Sequence, residues 1–386
     1  MSKFFPFMIF LFVFLSIYGF LHYYFYRTLK KAAILGTSCS VPVIIILVLL
    51  FISPVLSRFL SRTESTALIT VLDYIAYIWM VMLFLFFSIH ILIDIYGLII
   101  RLQTGFLSQG LLKFIPGNAK SFLATIVMIF AIVCYGSFEA RDIRVERIVL
   151  ETDKLPHDVE RLVIVQISDT HFSSINSVGL AEKIARIVNG LNPDILLSTG
   201  DIIERGMKEK ARIAEIFREI RTVYGKFAVM GNHEFFTGES ESTSFLDNAG
   251  FRMLRNEGTT VEGFLNVVGV DDPAGKRTGV YHDMIQENDL LMRFHGKNLT
   301  ILLKHQPVIE DGNQGYFDLQ LSGHTHNGQI FPFSLVVSIF YRYMKGLHKV
   351  GEDTFLYVSS GTGTWGPPIR FLAPPEISVI EYQRKT

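Results

Sequence analysis

The stretch Leu162-Val-Ile-Val-Gln-Ile-Ser-Asp169-Thr-His171 reads as a buried β-strand that ends in two metal-donor side chains. The same pattern recurs downstream. Gly200-Asp201 follows the apolar run Ile195-Leu-Leu197, and Gly231-Asn232-His233-Glu234 follows Phe227-Ala-Val-Met230. His305 follows Leu299 to Leu303, and Gly323-His324-Thr325-His326 follows Leu319-Gln-Leu321. In open α/β sheets, ligands gather at the carboxyl ends of strands, so five such segments can converge on one rim.

Each segment alone has a bland reading. A single buried histidine is more often a satisfied core residue than a ligand, and Gly-Asn can be a turn, since both residues favour left-handed backbone. The conjunction carries the argument. Five of the nine histidines after residue 150 fall in these segments, always after an apolar run. Pooled, the segments offer two Asp, one Asn and several His, enough for two divalent ions sharing a ligand. Such a pair suits the attack of water on phosphorus.

Between the strands lie helical patterns at 181–189, about 208–223 and 282–295, and further strand patterns at 264–270, 355–358 and 377–381. A domain spanning 161–386 with this alternation is α/β and large enough for its own core.

Residues 1–140 are a different object. Four apolar stretches, Phe4 to Tyr26, Ala32 to Leu56, Ala67 to Ile100 and Phe122 to Phe138, predict an all-α bundle of about four transmembrane helices, because a span needs about 20 mostly apolar residues. The first has only Lys3 as a basic flank and no small-residue cleavage site, which favours an uncleaved helix over a signal peptide. Pro42 and Pro54 are expected to kink the second span or mark its end. Asp73, His90 and Asp94 are the strongly polar groups of the third, and Asp73 and Asp94 are read as lying near the ends of an overlong helix. Residues 141–160 form a charged connector that begins with a strand, Ile143 to Leu150.

Four spans put both ends of the chain on one side. Arg27, Lys30, Lys31, Arg101, Lys113 and Lys120 balance Lys3, Arg58, Arg62, Arg141, Arg144 and Arg147. Charges beside a long domain count for less, which tips the catalytic domain towards the outside of the cytoplasm. Cys39 and Cys134 both lie within spans, so there is no disulfide framework. The 36 basic residues match 36 acidic ones with no basic run, so nucleic acid is not the expected partner.

The five segments resemble the calcineurin-like metallophosphoesterases, whose pattern is D-x-H, G-D, G-N-H-E, a lone His and G-H-x-H. The tail from Tyr357 through Trp365 and Arg370 to Glu376 resembles the membrane-associated bacterial branch of that family. The resemblance covers about residues 160–383 and implies a four-layer αββα sandwich. It implies that Asp169, His171, Asp201 and His326 hold one metal and that Asp201, Asn232, His305 and His324 hold the other. Asp201 then bridges, as a carboxylate can and a neutral imidazole cannot. A hydroxide held between the ions would be the nucleophile, and His233 would serve as the general acid beside it. Where the phosphatase branch has an Asp to orient that histidine, this chain has Glu204, read either as its replacement or as a solvated helix-start residue. Trp365 and Arg370 are read either as lining the cleft or as structural.

The reading is a membrane-anchored phosphoesterase with two divalent ions, Mn, Fe or Zn. Its substrate is a monoester or diester, with a lipid or cell-envelope phosphate favoured by the anchorage. The alternative is a non-catalytic metal-binding sensor or scaffold. Oligomeric state is not legible.

Overall fold

A computed structural model describes residues 4–34, 40–60, 67–104, 109–175, 177–279 and 285–385. Lys3, Cys39, Arg62, His282 and the start of the helix expected at 282–295 lie outside the described residues. The chain divides into two compact units, residues 1–136 and 137–386.

The first unit is helical: α1 (Phe4–Lys31), α2 (Ser40–Leu60), α3 (Ala67–Thr104) and, after a short 3-10 turn, α4 (Asn118–Glu139). The stretches Ser40–Ser57, Ala67–Thr104 and Gln109–Glu139 are long and apolar enough to cross a membrane. The second helix begins at Ser40 rather than near Ala32, because α1 continues to Lys31. Pro42 sits in the first turn of α2, where its missing N–H leaves no bond unmade, and Pro54 lies inside the helix. The polar groups of α3 are hydrogen-bonded to the neighbouring helices. Asp73 and His90 are buried, Ser57 donates to Asp73, and His90 Nδ1 lies 3.2 Å from Thr125 Oγ1. Tyr24 donates to Asp94 at 2.8 Å, and Trp79 Nε1 donates to His22 at 3.0 Å.

The second unit runs β1 (Arg144–Thr152), β2 (Arg161–Ile167), α5 (Val178–Gly190), β3 (Ile195–Ser198), α6 (Lys210–Arg218), β4 (Lys226–Ala228), α7 (Asn232–Thr237) and α8 (Glu239–Asn248). It continues with β5 (Arg252–Met253), β6 (Glu257–Val261), β7 (Leu265–Val270), α9 (Ala274–Thr278), α10 (Glu287–Met292) and β8 (Leu299–Lys304). The remaining elements are β9 (Leu319–Ser322), α11 (Phe333–Phe340), β10 (Gly346–Lys349), β11 (Phe355–Val358) and β12 (Glu376–Arg384). Two six-stranded sheets result, ordered β1-β12-β2-β3-β4-β5 and β10-β11-β9-β8-β7-β6. β2 to β5 are mutually parallel, as are β7, β8, β9 and β11. The stretch expected as a connector thus supplies β1, an edge strand in parallel register with β12.

Strand alternation builds the layers. In β2, Leu162 and Ile164 join an apolar core that also contains Leu265, Val267, Leu299, Ile301 and Leu303 of the other sheet, while Val163, Val165 and Ile167 face α5 and α6. In the second sheet Val268, Val270 and Leu302 turn the other way, onto Leu290 and Leu291 of α10. A period of two sends successive side chains to opposite faces, so both sheets are covered on both sides and their strands carry apolar residues on both faces. The order is helices, sheet, sheet, helices. The helix expected over 208–223 closes earlier, at Arg218, where Lys226 Nζ donates to the carbonyls of Phe217 at 2.7 Å and Arg218 at 3.0 Å.

Candidate metal centre

Every parallel strand that precedes a motif ends at the same rim. Asp169 and His171 follow β2, Asp201 follows β3, Asn232 and His233 open α7 after β4, His305 follows β8, and His324 and His326 follow β9. The backbone there is distorted. Asp169, His171, Asp201, His324 and His326 all adopt left-handed backbone, with φ of 53°, 47°, 54°, 71° and 49°. Each such residue costs of order 1–3 kcal/mol and persists only where its surroundings over-determine it. Glycines make the close approaches possible: a methyl at Gly231 would overlap the Asp201 carboxylate, and one at Gly323 would overlap the Asp169 carboxylate and Ser168 hydroxyl. The Gly231-Asn232 pair is no left-handed turn, since Asn232 is the first residue of α7.

Donor atoms crowd into three overlapping groups, Asp169–His171–His326, His171–Asp201–His233 and Asp201–His305–His324, each with its atoms within 4.8 Å of one another. His305 Nε2 lies 3.1 Å from Asp201 Oδ2 and 3.1 Å from His324 Nδ1. His326 Nε2 lies 3.0 Å from His171 Nε2 and 3.4 Å from Asp169 Oδ1. His171 Nε2 is 3.9 Å from both Asp169 and Asp201.

The outer ring nitrogens explain these orientations. His305 Nδ1 donates to the Thr199 carbonyl at 2.8 Å, which turns Nε2 towards the carboxylate of Asp201. His171 Nδ1 donates to Glu204 Oε1 at 2.9 Å, and again Nε2 faces inward. Arg370 Nη2 donates to His326 Nδ1 at 3.2 Å, which places the neutral ring's proton on Nε2, and that proton accounts for the 3.0 Å approach to His171. Lone pairs and carboxylates aimed at shared points repel unless a cation or proton lies between them. One more atom fits that logic: Asn232 Oδ1 is buried with no hydrogen-bond partner among the described residues.

The electrostatics agree. Burial alone would raise Asp201, yet His305, His233 and His171 hold its carboxyl well below the usual range. Burial would lower His305, but Asp201 and Asp169 raise it well above an ordinary imidazole. His324 is lowered to about 4 by burial and by His305, and His326 is lowered by burial, His171 and Arg370. His233 is pushed up to about 9, because Asp201 and Glu204 outweigh its burial. Glu204, against its own burial, is held down to about 2 by His233 and His171.

Glu204 therefore is no solvated helix-start residue: its Oε1 takes His233 Nδ1 at 2.8 Å as well as His171. Arg370 does not line a cleft. It is fully buried and donates to the carbonyls of Gly363, Ser360, Ala373 and His326. Trp365 is half exposed, its ring centroid 5.9 Å from that of His233. His157 and His295 are exposed, and His348 bonds the Lys345 carbonyl. Two roles escaped the sequence reading. Glu234 accepts from the backbone N–H of Asp201 at 2.8 Å, Ile202 at 2.6 Å and Gly231 at 2.9 Å, so one carboxylate clamps two motif loops. Burial and the charge of Asp201 push it up to about 7. Tyr341 places its hydroxyl 2.7 Å from His324 Nε2. The Glu234 role was accessible from its place in the motif; nothing local announces Tyr341.

Comparison with known proteins agrees with this geometry. The sequence model for calcineurin-like phosphoesterase matches residues 162–328. A metallophosphoesterase of Aquifex aeolicus is 37% identical over 252 residues, covering 65% of this chain and 96% of that protein. One from Campylobacter jejuni is 34% identical over 60% of this chain and 62% of its own length. A transmembrane protein with metallophosphoesterase domain from Danio rerio is 27% identical over 68% of this chain and 63% of its own length. The chain thus spans nearly all of the Aquifex relative but somewhat under two thirds of the other two. With the site's donors assembled at the rim where the motifs converge, the chain belongs to the calcineurin-like metallophosphoesterases.

Proposed function

We propose that this chain is a multi-pass membrane protein whose C-terminal domain is a two-metal phosphoesterase. The observation that carries the reading is the crowding of metal-donor atoms around Asp201, with His305 Nε2 and His324 Nδ1 3.1 Å apart and the Asn232 oxygen buried without a partner among the described residues. Asp169, His171, Asp201 and His326 would hold one divalent ion, and Asp201, Asn232, His305 and His324 the other. Mixed oxygen and imidazole donors suit Mn, Fe or Zn. Such ions, when bound, would supply an activated water and neutralise charge on the phosphoryl oxygens.

The chain's own groups supply the rest. His233 stays protonated near neutrality, held by Glu204, and is placed to give its proton to the departing alkoxide oxygen or to hold a phosphoryl oxygen. Asp201 anchors the backbone N–H of His233 at 2.8 Å, so the acid and the shared ligand keep a fixed relation. A metal-binding sensor would have no need of this Glu204–His233 pair, which favours catalysis over the scaffold reading.

α1 joins the three membrane-capable stretches as a fourth span, and the phosphoesterase domain runs from β1 onward. Discounting the basic residues beside the long domain favours a domain outside the cytoplasm; labelling of an engineered domain cysteine by an impermeant reagent in intact cells tests that, and protection would reverse it. The substrate is a monoester or diester, with a lipid-linked phosphate suggested by the anchorage. Hydrolysis of such esters by the full chain reconstituted with Mn, Fe or Zn tests the activity. Equal activity in Asp201→Asn, or none with any of the metals, sinks the reading.

A further inference from the structure

The segment that leaves His326 forms an apolar helix and then returns to the metal cluster. It ends at Tyr341, whose hydroxyl meets His324 at 2.7 Å and Gln306 Oε1 at 3.3 Å. Between these points, no residue of α11, Phe-Ser-Leu-Val-Val-Ser-Ile-Phe, is buried. Ile339 and Phe340 are 78% and 76% exposed, and Leu335 and Val336 are exposed beside them.

The surface continues past the helix. The Gln329 side chain bonds the Trp365 backbone in both directions, at 3.0 and 2.8 Å, and Phe331 pairs with Phe371, so exposed Trp365 and Leu372 belong to the same side of the site. Soluble monomers rarely show contiguous apolar patches of this kind, and those that exist mark an interaction site.

We propose that α11, with Trp365 and Leu372, inserts into the headgroup–acyl boundary of a lipid bilayer and seats the metal cluster against the lipid headgroups. The inference rests on the membrane-anchored reading above. Three observations choose lipid over a protein partner. The same chain carries stretches able to cross a membrane. The hydroxyl of Ser338 is taken up by the helix's own backbone, donating to the Leu335 carbonyl at 2.9 Å, so the exposed face offers little of the hydrogen bonding that protein interfaces use. Exposed Arg342 and the ring of Tyr343 beneath it follow the helix directly, and Trp365 flanks it; these are the residue types that settle at membrane interfaces. Interfacial helices of this sort bury their apolar face about 5–10 Å into the boundary.

The test uses the full chain in phosphatidylcholine–phosphatidylglycerol vesicles that contain acyl-chain spin-labelled lipid. On a background of Cys39→Ser and Cys134→Ser, single cysteines at Ile339, Val223 and Leu92 carry an environment-sensitive nitrobenzoxadiazole probe. Val223 is an exposed domain residue remote from α11 in sequence, and Leu92 is an exposed residue of α3. The proposal expects the probes at 339 and 92 to lose most of their emission to spin-labelled lipid and little to aqueous iodide, with the reverse at 223. Quenching at 92 but not at 339 overturns the inference while the membrane reading stands. No lipid quenching at 92 removes both. A probe at 339 shielded from iodide and lipid alike, with energy transfer between differently labelled chains, assigns the face to a second copy and also overturns it. None of these readouts depends on hydrolysis, so failure of the phosphoesterase activity leaves the result interpretable.

Discussion

Glu204 Oε1 lies 2.8 Å from His233 Nδ1, and the two groups hold each other ionised: the carboxyl sits down at about 2 and the imidazole up at about 9. A buried acid that would otherwise resist ionisation is thereby fixed as the carboxylate that holds the His233 ring in place.

Glu204→Gln keeps the shape and removes the charge. We expect a loss of about 10–100-fold in turnover, with some loss of bound metal, because the same oxygen also orients His171. His233→Asn should cost about 10²–10⁴ in turnover with metal content unchanged. Steady-state rates with metal analysis of each variant separate the two. Full metal loss in His233→Asn would show that the ring holds a cation and is no acid.

The metal-free protein should lose stability as the solution turns alkaline. His233 is raised from about 6.5 to about 9, so the folded state holds its proton more tightly than the unfolded state. The stabilisation is full below about pH 6.5 and disappears as pH rises through about 9, at most about 3 kcal/mol. Thermal unfolding of the metal-free chain, followed by Trp365 emission on a Trp79→Phe background, should show a falling midpoint across that window. Bound metal should shrink the fall, since the cations then carry the positive charge. A midpoint that stays level without metal contradicts the prediction.

Glu234→Ala leaves the N–H groups of Gly231, Asp201 and Ile202 without their buried acceptor. Orphaned donors cost about 1–3 kcal/mol each, so a loss of at least about 3 kcal/mol is expected, together with weaker metal binding as the two loops drift. Denaturant titration and metal titration measure these separately. Unchanged values in both would mean the clamp is dispensable.

Metal uptake should release protons. In the metal-free state His305 is raised by Asp201 and holds a proton on the nitrogen that faces that carboxylate. A cation that takes this nitrogen must displace the proton. Calorimetric titration of the metal-free chain in buffers of different ionisation enthalpy should give heats that diverge in proportion; identical heats would refute the assignment. Arg370→Lys should lower the thermal midpoint, since a single ammonium cannot reproduce the buried fork of donors.

Strands and motifs were legible because they obey local rules. Leu162 to Ile167 and Leu299 to Leu303 are apolar on both faces, as sheets covered on both sides demand, and each motif sits where its strand stops. What stayed hidden depended on distant partners. The early end of α6 is set by Lys226, which approaches from β4. The carboxylate clamp of Glu234 needs loops from two strands to meet. α11 went unread for the opposite reason: its apolar run, free of helical alternation, resembles core sequence, yet none of it is buried within the protein.

In the first sheet, the one strand that β1 pairs with among the described residues is β12, with Arg144 in line with Glu376. A ribosome delivers β1 directly after the membrane-capable helices, long before the strand that receives it exists. During that interval β1 and the adjoining edge of β2 are unpaired templates for neighbouring chains, the condition that invites edge-to-edge aggregation. Maturation of the domain is thus tied to its own last strand, and the interval before that strand arrives is when a nascent copy most needs shielding.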